Sequence, residues 1–212
     1  MVSGLVFSGC GGGSDGDDTG ESIVETTGEN GEYNIENLFL LNQERRGATV
    51  SSGYTLPMNV SISSRVSNDQ NFFNIFFQDT VNGTATMETS FIFTDNKLSS
   101  IIPIDNIRCD AESIAVFPKT ADINDTATLP IYICNDGSTL QNVTWSLLAE
   151  DSEEELIVVF KLDYDAISPV GRLTNQFLNS FFIKNNEIDQ AILGIKFPTG
   201  DNDIANTIFS KE

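Results

Sequence analysis

From about Thr55 onward, apolar residues recur at every second position rather than every third or fourth. In TLPMNVSISS, Leu56, Met58, Val60 and Ile62 fall on one side of an extended chain, and Thr55, Pro57, Asn59, Ser61 and Ser63 fall on the other. This period predicts a half-buried strand, because successive strand side chains point to opposite faces. Pro57 has no N–H to give to a ladder, so the strand is expected to begin there or to lie at an edge. TATMETSFIFT repeats the pattern, with Ala85, Met87, Phe91 and Phe93 opposed by Thr86, Glu88 and Ser90. The Asn82-Gly83 pair between it and the preceding NFFNIFFQ predicts a hairpin. The most regular unit is NVTWSLLAEDSEEELIVVFKLDY. Val143, Trp145 and Leu147 form one inward row and Leu156, Val158, Phe160, Leu162 and Tyr164 the next, with a charged turn at 150–155 between them.

Further short strands are expected near 98–104, 112–117, 127–134 and 190–197, separated by Asp-Asn-Lys, Asn-Asp-Gly and Pro-Thr-Gly-Asp turns. Residues 33–44 and 171–182 are ambiguous, and either can hold a short helix. About eight to ten short antiparallel strands at this spacing predict an all-β sandwich or barrel, with a β-sandwich of immunoglobulin-like or jelly-roll-like form as the leading expectation. A chain of 212 residues suits one such domain, expected over 33–212, behind a signal-like segment at 1–10 and a linker at 11–32.

Charge narrows the partners. The formal charge is -20, and nine acids precede the first basic residue, Arg45, so the acidity belongs to tail and body alike. Such a field repels nucleic acid, and no nucleic-acid partner is expected. The chain contains no histidine, which removes the commonest general base and every Ser-His or Cys-His nucleophile arrangement. The three cysteines include no C-x-x-C pair, so no zinc site and no cofactor is expected. No run of about 18 apolar residues occurs from which a spanning helix could be built.

Near the N-terminus stands LVFSGCGGGSDGDD. Val6-Phe7-Ser8-Gly9-Cys10 resembles the lipobox of bacterial lipoproteins, in which small residues precede a cysteine that is lipidated and becomes the mature N-terminus. The resemblance implies a lipid anchor on Cys10, a place in the cell envelope, periplasmic or surface-exposed, and partners that are envelope proteins or glycans. Phe7 stands where leucine is usual and nine residues precede Cys10, so Met1 is expected to lie inside a longer signal. Gly11-Gly12-Gly13-Ser14 and the acidic run beyond it have the composition of a self-repelling tether.

Cys109 and Cys134 are then left as a pair, 25 positions apart, and a disulfide between them fits an oxidising compartment. Strand, cysteine and strand with one tryptophan resemble the immunoglobulin-like sandwiches in architecture, although Trp145 follows both cysteines instead of lying between them.

Candidate chemistry is sparse. Asp163 and Asp165, two apart on a strand, share a face and are the carboxylate pair a glycan-active enzyme would use. The simpler expectation for them is a solvated face opposite the inward row. Asp201-Asn202-Asp203 gathers oxygens after Gly200, with Asp201 and Asp203 the candidate ligands of a calcium-dependent adhesion module. Asp15-Gly16-Asp17-Asp18-Thr19-Gly20 imitates the start of a calcium loop but has Thr26 where the bidentate Glu belongs. Trp145 and Tyr132 are candidates for a sugar platform, with core the favoured place for Trp145. Sequons at Asn59, Asn82, Asn124 and Asn142 are no more than residue frequencies give by chance. The expectation is a non-catalytic structural or binding module, lipid-anchored in the cell envelope.

Overall fold

The computed structural model describes residues 32–40, 44–52, 58–79, 85–95, 97–104, 106–151, 156–184, 187–199 and 202–209. β1 (Tyr33–Asn34) leads directly into a short helix, α1 (Ile35–Leu40). The first run of strands is β2 (Glu44–Ser52), β3 (Met58–Ser67), β4 (Gln70–Asp79), β5 (Ala85–Thr94), β6 (Lys97–Ile102) and β7 (Cys109–Ala111). Three short ones follow, β8 (Thr120–Ala121), β9 (Thr126–Thr128) and β10 (Tyr132–Cys134). The second long run is β11 (Thr139–Asp151), β12 (Leu156–Ile167), β13 (Leu173–Lys184), β14 (Glu187–Lys196) and β15 (Asn202–Phe209).

The fold is all-β and antiparallel, as the period-two pattern predicts. Within each run, strands adjacent in sequence are adjacent in the sheet, and β15 pairs with β2 to join the runs. At the other end β10 pairs with β7 on one side and β11 on the other, so the sheet curls round until its ends meet. Of the strands in this sheet, β9 alone stands outside the circuit, attached to β11, while β1 and β8 form a small ladder of their own.

Local chemistry fixes the register. β3 and β4 are joined by Asn68 and Asp69, with φ of 50° and 59°. Two successive residues at positive φ make the type I′ turn whose twist matches a tight hairpin, and Asn and Asp tolerate that region better than most side chains. Asn135-Asp136-Gly137 forms the expected turn after β10, with Gly137 at φ 83°. The β4–β5 hairpin is present, while its Asn82-Gly83 turn lies outside the described residues. Residues 171–182 fall largely in strand β13, and 35–40 form a helix.

α1 explains how the curled sheet is filled. Asn34 Oδ1 accepts the Asn37 N–H at 3.0 Å, an N-cap, and Glu36 lies in the first turn, where the helix dipole favours an acid. The helix buries Ile35, Leu38 and Phe39, one face at i, i+3 and i+4. The Ser64 hydroxyl donates to the Phe39 carbonyl at 3.0 Å, satisfying an acceptor at the helix end. Phe39 meets Phe73 of β4 at 4.9 Å, Phe160 of β12 at 5.2 Å and Phe181 of β13 at 5.4 Å between ring centroids. β4 and β12 lie far apart in the circuit whichever way it is followed, so this one side chain touches walls that share no backbone ladder. A single hydrophobic cluster, drawing on both long runs, fills the interior.

Candidate functional site

The sheet closes on a short seam. β7 and β10 pair over three positions, Tyr132↔Ala111, Ile133↔Asp110 and Cys134↔Cys109, and β10 and β11 over two. So few ladder bonds are reinforced by side chains. Cys109 and Cys134, directly opposite one another, form a disulfide, which is the pairing the cysteine count suggests. The Tyr132 hydroxyl donates to the Leu98 carbonyl at 2.8 Å, inside the protein. Beside the disulfide, Ser100 donates to Asp110 at 2.6 Å, and Arg108 donates to Asp110 at 2.8 Å and to Ser100 at 2.9 Å. Partial burial alone would raise the Asp110 pKa, but the hydroxyl and the guanidinium outweigh it and hold it below the usual carboxylate value.

Next to this seam lies an open apolar groove of about 380 Å³. One wall is the extended segment 113–118, presenting Ile114 and Val116 at 69% and 67% exposure while Ala115 and Phe117 point into the core. The sequence pattern predicts a strand here. Among the described residues the segment pairs only through the Lys97↔Val116 bridge and the Leu98 N–H to Ala115 carbonyl bond, because β6 covers one of its edges and no strand occupies the other. The opposite wall is β9 and the residues after it, with Ala127, Leu129 and Pro130. Trp145, paired with Ala127, lines the groove from beneath.

β9 has β11 on one side and, among the described residues, no strand on the other. Leu129 N–H bonds to the Val143 carbonyl at 2.7 Å and Leu147 N–H to the Asp125 carbonyl at 2.9 Å. From Asp125 to Leu129 the odd-numbered residues therefore face β11, and the backbone groups of Thr126 and Thr128 point to the unpaired edge. Trp145 is 7% exposed and stacks on Phe160 at 6.0 Å, yet its indole N–H finds no acceptor among the described residues. A buried donor left so costs about 1–3 kcal/mol.

Trp145 and Tyr132 are core residues, and neither presents a ring as a sugar platform. Asp163 and Asp165 share the outer face of β12. Asp163 Oδ1 accepts the Asn179 N–H at 3.0 Å, and Asp165 accepts from Asn142 at 2.7 Å and Gln176 at 2.8 Å. Burial raises the Asp163 pKa, against the Asn179 N–H and the Lys161 charge, which lower it. Both carboxylates are thus braced to neighbouring strands. Cys10, Asp201 and the Asp15–Gly20 run lie outside the described residues, as does the side chain of Asp203. Among the described residues no three His, Cys, Asp or Glu side chains gather as a metal site, and no helix is long and apolar enough to cross a membrane. No family model, curated protein or solved structure matches this chain.

The groove escapes a strand-by-strand pattern search because such a search asks only which parity is apolar. In SIAVFP both parities are, Ile114 and Val116 as well as Ala115 and Phe117. The face of Ala115 and Phe117 is buried, and the equally apolar face of Ile114 and Val116 is left in water.

Proposed function

We propose that this protein is a non-catalytic binding module of the cell envelope, held through a lipidated Cys10 and displayed on the acidic tether of residues 11–32. The observation that carries the compartment is the Cys109–Cys134 disulfide at the seam of the sheet, since such bonds persist where thiols are not kept reduced. The lipobox-like order before Cys10 supports the anchor, and the polar, glycine-rich, acidic composition after it suits a stand-off linker. The open apolar groove supports binding as the activity, because an exposed concave apolar surface is where a partner gains most from excluding water.

The test is the intact mass of the protein recovered from its native host, before and after reduction. A chain beginning at Cys10 with attached acyl groups is expected, with a gain of about 2 Da when the disulfide takes up two hydrogens. A chain retaining residues 1–9 with three free thiols would remove both anchor and compartment.

A further inference from the structure

The unpaired edge and the groove form one surface, and we propose that it binds an extended peptide segment of a partner, taken up as an added strand along β9. This rests on the binding half of the function proposed above and not on the anchor. Three features select the occupant. Thr126 and Thr128 offer outward backbone donors and acceptors, the chemistry that another strand completes and that a compact apolar ligand does not. Across the groove, Ile114 and Val116 expose side chains two positions apart, the spacing at which one face of a strand presents its own. Trp145 also lines the groove, and its buried indole N–H lacks an acceptor among the described residues.

Charge states the rest of the partner's chemistry. The walls themselves are uncharged, but exposed Glu112 precedes one wall and exposed Asp122 and Asp125 precede the other, against Lys119, on a chain of net charge -20. The peptide that fits has alternating β-branched residues flanked by lysine or arginine.

Trp145 is the chain's single tryptophan and therefore the reporter. The full chain is titrated with the peptide Lys-Lys-Val-Thr-Val-Thr-Val-Lys-Lys while its emission is followed. A saturable shift is expected, weakened about tenfold or more by Val116→Lys, which places a like charge on the wall. Thr128→Pro is expected to do the same, because it deletes an N–H that points away from β11 and leaves that ladder intact. The same peptide carrying N-methyl groups on alternate residues is expected to bind as weakly. Equal binding of the methylated peptide, or indifference to Val116→Lys, would overturn strand addition. Should Thr128→Pro fail to fold, Val116→Lys decides alone, since that side chain is 67% exposed. A shift produced by a peptide of residues 21–31 and not by the lysine-flanked one would give the groove to the chain's own N-terminal segment and likewise overturn it. Neither failure touches the mass of the anchored protein, so the two proposals fall separately.

Discussion

Asp163 is the residue at which a functional and a structural role part most clearly. Its carboxylate sits on the outer face of β12, where burial opposes ionisation more than the Asn179 N–H and the Lys161 charge favour it. A carboxyl whose pKa is raised by folding contributes stability in full below its unfolded value, and loses it as pH climbs through the folded value. Asp163→Asn keeps an oxygen for the Asn179 N–H and removes the charge. The variant is therefore expected to melt higher than the parent at pH 7, with the gain closing as pH falls through the raised folded value and gone below about 4, where the carboxyl is neutral in folded and unfolded chain alike. Thermal melts of both proteins across that range check it, and a variant less stable at pH 7 would mean that the fold needs the ionised form. Asp110 has the opposite sign, since Ser100 and Arg108 depress its pKa and its contribution disappears only as pH falls through the lowered value. Acid should thus loosen the seam while relieving the outer face of β12.

At the scale of elements, α1 is the piece on which the curled sheet depends. Phe39 meets β4, β12 and β13 edge to face, and no ladder joins β4 directly to the other two. Phe39→Ala is expected to cost about 3–5 kcal/mol, the range for removing a large buried ring, measurable as a lower urea midpoint. The conservative Phe39→Leu should recover much of that loss. The sequence shows the strands of this molecule unevenly, for physical reasons. β11 buries one face and β12 does so beyond Val159, which is buried on the other, so Val143, Trp145, Leu147 and Phe160, Leu162, Tyr164 stand out by period alone. β13 is obscured because Asn179 occupies the buried row, where its side-chain amide donates to the Leu162 carbonyl at 2.8 Å, while Leu178 is exposed on the other face. In β5 the alternation is legible from Ala85 to Phe91 and breaks at Ile92, which is buried on the other face between Phe91 and Phe93. The pairing of β2 with β15 sets Ser52 against Ala205 and spans most of the chain, a contact no local pattern encodes. The disulfide follows from counting, but the unpaired edge of β9 does not, because an edge is defined by what is absent beside it.

For the whole molecule, charge governs how stability and binding respond to the solvent. With a net -20, the folded body confines like charges that an unfolded chain would spread, so self-repulsion opposes compactness. Screening shortens the reach of that repulsion from about 30 Å at 0.01 M salt to about 8 Å at 0.15 M. The melting temperature is accordingly expected to rise over that interval of sodium chloride, where a protein stabilised mainly by surface ion pairs would show a fall. The same screening acts with the opposite sign on the proposed partner. A lysine-flanked peptide approaches an acidic protein faster and holds it longer at low salt, so its affinity is expected to drop across the interval in which the fold becomes more stable. The two responses separate the causes. Loss of binding through unfolding would track the melting temperature, whereas loss through screening would appear while stability improves, and a peptide affinity indifferent to salt would leave the groove's apolar walls and free backbone edge as the whole of its recognition.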